Sequence, residues 1–285
     1  MAAPALARTL TVTPDRNGIG AEVSGVDLAA PLSDKLVSEI ERALVDYKVL
    51  RFRDQKMTSK DQLAFGRRFG ALEIHPFAAF PEFSNKDEPE LLVIESFPEK
   101  PKVAEDWHSD VTFRETPALG SILRITHCPE QGGDTRWADM GAAYEGLDDA
   151  TRSFLSGLVA VHDWHLFRDA MKERGVPADQ IAKLIDRFPP MEHPVLRTHP
   201  VSGEKLIYVN SNFTVRIKGM SETESNALLQ RLYKLADIPD YQTRMDWKPG
   251  SVAFFDNRST QHSVVPDVKG YRRLERVTIA GDRPF

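Results

Sequence analysis

From about Leu91 onward the sequence breaks into short β-type runs separated by turn-forming residues, a pattern that no mainly helical architecture absorbs. The runs are Leu91–Glu95, Trp107–Phe113, Ser121–Thr126, Thr135–Ala138, Val195–Thr198, Leu206–Val209, Gln242–Trp247, Val252–Phe255 and Leu274–Ile279. Pro249-Gly250 separates two of them as a hairpin turn signal. Many short strands at this spacing predict a sandwich or jelly roll. Helical patterns interrupt the series within 139–156 and 165–186, and again from Ser221, capped by Glu224, to about Ala236.

Before Leu91, strands are predicted at Leu10–Val12 and 20–27. Ser33 then opens a helix whose stripe of Leu36, Val37, Ile40, Ala43, Leu44 and Tyr47 has amphipathic spacing. A strand at Val49–Phe52 and a second helix follow, the helix opened by Thr58 and Asp61 and stopped by Gly70. The expected architecture is mainly β, with flanking and inserted α-helices.

No repeat or linker divides the 285 residues, so one domain spanning 1–285 is expected. At that length roughly three quarters of the unfolded surface can be buried without a covalent staple. The lone cysteine, Cys128, excludes an intramolecular disulfide framework and a Cys-rich metal site. A formal charge of −5 argues against nucleic acid as a partner, and no apolar run approaches the ~20 residues that span a bilayer. The first residues lack a charged segment followed by an apolar one, so a cytoplasmic protein is expected.

Chance pairings are common in a chain with eight histidines, but Trp107-His-Ser-Asp110 stands out. In a strand, His108 and Asp110 project to one face and supply two corners of a two-histidine, one-carboxylate triad. That set suits Fe(II) because it leaves adjacent coordination positions open. A third corner comes from His262, in Phe255-Asp-Asn-Arg-Ser-Thr-Gln-His262. Arg272 and Arg276 follow on one face of a predicted strand, with Arg273 pointing away. One guanidinium could anchor a dicarboxylate by a bidentate pair and the other an anionic substrate.

The sequence resembles the taurine/2,4-dichlorophenoxyacetate dioxygenase family over essentially its whole length, closest to the taurine-dioxygenase-like branch. The resemblance is densest in Trp107–Phe113, Gly132-Gly-Asp-Thr135, His193–His199, Phe255–His262 and Arg272–Pro284. It implies a double-stranded β-helix (jelly roll) core and a lid-like insertion at roughly 160–192. It also implies Fe(II) on His108, Asp110 and His262, with 2-oxoglutarate and O2 as cosubstrates. Thr135 and Arg272 correspond to the family's contacts to the 2-oxoglutarate carboxylate. The loop before Arg272 is about one residue shorter than in the taurine enzyme, which leaves Arg273 as an alternative that the strand-face argument disfavours.

His75 and Arg276 match residues that hold the sulfonate in the taurine enzyme. Ala78 and Ala104 stand where that enzyme has a tyrosine and an asparagine, which implies a roomier, less polar pocket. Phe213 matches a pocket-lining aromatic. The implied substrate is a small organic anion, namely an alkyl sulfonate, a sulfate ester or an aryloxyalkanoate. It is hydroxylated at a C–H next to the heteroatom, with loss of succinate and CO2 and possible fragmentation of the product. Family members are often homodimers or homotetramers. Because Asp110 is present, the halogenating variant of this chemistry is disfavoured.

Of the other histidines, His127 at a strand end is expected to be structural, and His193 and His199 flank a strand in packing or turn hydrogen bonds; His162 and His165, an H-x-x-H in the variable insertion with no third ligand, are expected to serve structure or substrate contact. Asp106 and Glu105 are alternative carboxylate ligands. Arg124 and Arg197 are expected to satisfy core acceptors, and Cys128 to be a small buried hydrophobe. Gly132-Gly133 is not followed by the Lys-Ser/Thr of a phosphate loop. Two rival functions use the same residues. A zinc hydrolase on the triad would leave Arg272 without a role, and a non-catalytic anion binder would keep its ligand without His108.

Overall fold

The computed structural model describes residues 10–78, 80, 83–99 and 104–285. The expectation about the extreme N-terminus lies outside them. In chain order the elements begin with β1 (Thr11–Pro14), β2 (Ala21–Ser24), α1 (Asp34–Tyr47), β3 (Val49–Phe52), α2 (Ser59–Gly66) and β4 (Leu91–Ser96). Next come β5 (Gly120–His127), β6 (Thr135–Asp139), α3 (Met140–Glu145), α4 (Asp149–Leu155) and β7 (Val159–His162). Then follow α5 (His165–Glu173), α6 (Ala178–Arg187), β8 (Met191–Pro194), β9 (Leu196–Thr198), β10 (Lys205–Ile207) and β11 (Thr214–Ile217). The chain closes with α7 (Glu222–Tyr233), β12 (Gln242–Met245), β13 (Val252–Asp256), β14 (Thr260–Val264) and β15 (Arg272–Ile279).

Seven strands form one sheet in the order β1-β2-β3-β13-β5-β15-β4, and β12-β6-β14 form a second. Alternation along each strand sends alternate residues to opposite faces. On β13, Val252 and Phe254 pack towards α1 and α2, while Ala253 and Phe255 meet Trp137 of β6 and Met245 of β12. The two sheets therefore face each other across a core centred on Trp137, and α1 and α2 seal the outer face of the larger sheet. The helices start where their caps dictate. Ser33 Oγ accepts from Leu36 N–H, and Thr58–Asp61 and Ser221–Glu224 form reciprocal capping boxes. The buried stripe of α1, Val37, Ile40, Ala43 and Leu44, is the one its spacing predicts.

Other expectations fail in instructive places. Trp107–Phe113 is not a strand. His108 makes one isolated bridge to His262, and residues 110–113 then turn. Polar side chains take over the backbone groups there: Asn257 Oδ1 accepts Asp110 N–H at 3.4 Å, and Ser109 Oγ donates to Thr260 O at 2.5 Å. His262 sits mid-way along β14, a strand that the polar sequence Thr260-Gln-His-Ser-Val264 concealed. The sheet β11-β7-β8 was not anticipated; β7 and β8 pair across residues 160–192, with α5 and α6 between them. Cys128 is half-buried rather than fully buried. Among the described residues no helix is long and apolar enough to cross a membrane.

Candidate active site

His108, Asp110 and His262 reach the same point from three different local structures: an isolated bridge, a turn and a strand. Their ligand atoms all lie within 4.8 Å of one another, and all three residues are buried. His108 Nδ1 is 2.9 Å from Asp106 O, so it carries the proton and leaves the other ring nitrogen with its lone pair. Burial lowers the pKa of both histidines, that of His262 to about 3. Burial opposes ionisation of Asp110, but the Arg276 guanidinium, the neighbouring imidazoles and the Ser121 hydroxyl together outweigh it, and the carboxyl stays well below its usual range. Two neutral imidazoles and one anion, dry and convergent, fit a divalent metal ion. Asp106 offers only its carbonyl here, and Glu105 and Asp106 do not join the cluster.

Asp110 is itself held by a ring of partners. Arg276 Nη1 donates to Oδ1 at 2.6 Å, and Ser121 Oγ donates to Oδ2 at 3.0 Å. This orientation of a metal-binding group by its neighbours is typical of built metal sites.

Arg272 lies on the same face of β15 as Arg276. It is 3% exposed, and its Nε and Nη2 find no hydrogen-bond partner among the described residues. Burial pushes the guanidinium down to about 10. A buried charge left this way is costly, so the group fits an incoming carboxylate. Gly133 makes the room: a Cβ there would stand 3.0 Å from Arg272 Cδ. Arg273 instead points outward, bonded to Thr126 Oγ1 and Glu275. Thr135 Oγ1 accepts from the Trp247 indole at 3.0 Å, which leaves its own proton free to donate. The Trp247 contact was not foreseen; no residue pattern announces it.

Beside the triad opens a cavity of about 440 Å³. Arg276 and His75 line it beside His108 and Asp110, with phenyl rings of Phe77, Phe83, Phe113, Phe167 and Phe213, and Glu95, Arg174 and Asn212 add further polar groups. His75 Nδ1 accepts Phe77 N–H at 3.2 Å, so Nε2 carries the proton. Its ring stacks on Phe83 at 4.5 Å, and burial pulls its pKa to about 3, which leaves a neutral donor. Phe213 packs against Phe113 and Phe167. Ala104 lines the cavity. Ala78 does not; its N–H closes a turn onto His75 O. Arg124 and Arg197 meet core acceptors, Glu275 and Asp282 respectively.

The model of the taurine catabolism dioxygenase TauD, TfdA family matches residues 8–278. An alkylsulfatase of Acinetobacter baylyi is 36% identical, over 93% of this chain and 83% of its own. An α-ketoglutarate-dependent sulfate ester dioxygenase of Pseudomonas putida is 35% identical, over 96% of this chain and 91% of its own. The solved structure of AAD-2 in complex with Mn(II) and N-oxalylglycine superposes with a TM-score of 0.81 at 30% identity, covering 97% of this chain and 99% of that one. With a match of this extent and a site of this composition, the chain belongs to the taurine catabolism dioxygenase TauD, TfdA family and is a non-haem Fe(II)- and 2-oxoglutarate-dependent dioxygenase.

Proposed function

We propose that the substrate is an alkyl sulfate ester, oxidised at the carbon that bears the ester oxygen. The observation that carries this reading is the Phe-walled cavity ending on Arg276, directly beside Asp110. His108, Asp110 and His262 would hold Fe(II), and Arg272 with Thr135 would hold the far carboxylate of 2-oxoglutarate. When bound, the iron couples decarboxylation of 2-oxoglutarate to succinate and CO2 with delivery of an oxygen atom from O2 to a substrate C–H bond.

The protein's own groups supply position and dryness. Arg276 and the Nε2–H of His75 receive the sulfate oxygens, a charge-assisted pair and a neutral donor. The phenyl rings take the tail and displace water from it. The hydroxylated carbon then carries both a hydroxyl and a sulfate ester, and it collapses to an aldehyde and sulfate. Two names support the head group: relatives of this chain are an alkylsulfatase and a sulfate ester dioxygenase. The neutral wall at Ala104 supports a longer tail than a small zwitterion needs.

The facing sheets support reading the core as a double-stranded β-helix, with the whole chain as one catalytic domain. Phe167 and Arg174, both from residues 160–192, line the cavity and support a lid role for that insertion. The test is succinate formation by protein reconstituted anaerobically with Fe(II) and then given 2-oxoglutarate and air. Alkyl sulfates, alkyl sulfonates and aryloxyalkanoates are compared. Succinate and aldehyde rising together with sulfate esters, and absent in Asp110→Ala, is the expected result. Coupling only to sulfonates or aryloxyalkanoates overturns the substrate assignment.

A further inference from the structure

Directly after Asp110 the backbone adopts a conformation that needs support. Val111 has φ +49°, in the left-handed region, where a β-branched residue is strained. Such a residue persists only where its surroundings over-determine it. Here buried polar side chains grip the residues that follow. His162 Nδ1 lies 3.0 Å from Thr112 Oγ1, and the Asn210 amide donates to the same hydroxyl at 3.0 Å. His193 Nε2 donates to the Arg114 carbonyl at 2.9 Å, and the Arg114 guanidinium pairs with Glu73 at 2.5 Å.

Among these, His162 shares the Thr112 hydroxyl with Asn210, and its own Nδ1 also lies 3.4 Å from Thr214 Oγ1. It is fully buried and Thr112 is 1% exposed, so water offers neither an alternative partner. It sits on β7, the middle strand of its sheet, opposite Thr214 on one side and Met191 on the other. Its ring does not line the cavity. The segment it grips is anchored at its other end by the His108–His262 bridge.

Resting on the reading of His108 and Asp110 as metal ligands, we propose that His162 is a positioning residue. Through Thr112 Oγ1 it holds the strained 110–113 turn and thereby fixes where the Asp110 carboxylate meets the metal. A purely structural histidine would lower the melting temperature and leave the metal affinity of the folded protein alone. A positioning histidine changes that affinity, because ligands held loosely must be ordered at the moment of binding.

The probe is Mn(II), followed by the electron paramagnetic resonance of the free ion, with the full chain and no cosubstrate. His162→Leu is expected to weaken Mn(II) binding by roughly tenfold or more, the usual effect of removing a support behind a metal ligand. Thr112→Val, isosteric and apolar, is expected to do the same, and the two together no more than either alone. His162→Asn, whose amide puts a polar atom where Nδ1 stands, restores most of the affinity. Wild-type affinity in folded His162→Leu and Thr112→Val, with binding lost in Asp110→Ala, overturns the proposal and spares the ligand assignment. Binding retained in Asp110→Ala overturns both. If His162→Leu fails to fold by circular dichroism, Thr112→Val breaks the same contact from the other side, and Asn210→Ala, which removes the hydroxyl's other partner and keeps His162, separates the two: Mn(II) affinity lost in Thr112→Val and kept in Asn210→Ala supports His162, and equal loss in both overturns the proposal.

Discussion

Arg272→Met separates what the buried guanidinium costs from what it does. The side chain is 3% exposed, with Nε and Nη2 unpartnered among the described residues. Burial takes it from its ordinary value down to about 10, a displacement equivalent to about 3 kcal/mol of unfavourable desolvation. Methionine keeps much of the stem's volume and carries no charge, so the cosubstrate-free protein gains on the order of 1–3 kcal/mol. For a chain of this size that is ~2–4 °C in melting temperature per kcal/mol. The bound state responds in the opposite sense. With Mn(II) in the site, 2-oxoglutarate at a hundredfold excess over its dissociation constant stabilises wild type by about 2.7 kcal/mol, and Arg272→Met loses that increment. Calorimetric scans of both proteins with and without 2-oxoglutarate read the two effects separately. A variant that melts lower than wild type without cosubstrate, and still shifts upward with it, refutes the reasoning.

Arg276→Gln removes the charge proposed to meet the substrate head while leaving a hydrogen-bond donor near Asp110. It raises KM for a sulfate ester by roughly a hundredfold, while substrate-independent succinate formation persists; an unchanged KM contradicts the head-group assignment. Ala104→Phe fills the cavity wall, so kcat/KM for long-chain esters falls by roughly 10–200-fold and that for the shortest ester is spared. Equal losses across chain lengths place the tail elsewhere. Burial holds the His193 pKa at about 4, below the roughly 6.5 of an unfolded chain. As pH falls from 6.5 to 4 the unfolded state takes up a proton that the native state refuses, and up to about 3 kcal/mol of stability is lost. Urea titrations across that window show a flatter profile for His193→Gln; parallel profiles exclude His193 as the source.

The parts of the site legible in the residues were those where one side chain's chemistry is distinctive at a short range in sequence. His108, Asp110 and His262 converge, and Arg272 and Arg276 share a face, because the period of two along β15 survives intact. The route to the first pair was misread. A strand was expected where a bridge and a turn stand, since no local propensity announces a valine at positive φ held by distant polar groups. The same limit applies to His162 and His193. Their partners, Thr112 and Arg114, lie 50 and 79 residues away along the chain, and neither histidine read as a support until the fold brought them against the turn. The phenyl wall, Phe213 apart, was equally hidden, because its five rings come from four separate stretches of chain.

The placement of the cavity wall has a consequence for how such a protein changes over generations. Of the groups proposed to hold iron and 2-oxoglutarate, Thr135, His262 and Arg272 sit on β6, β14 and β15 in the two facing sheets, and His108 and Asp110 in the 107–113 segment bridged to β14. Phe77, Phe83, Ala104, Phe167 and Phe213 of the wall around the tail lie outside those strands and that segment, and Phe113 alone of the rings shares the segment with the ligands. Heritable variation therefore meets two different resistances in one molecule. Lineages can drift in which molecule they consume while the reagent-bearing framework stays fixed, and a laboratory library confined to the wall positions samples new diets without re-solving the chemistry.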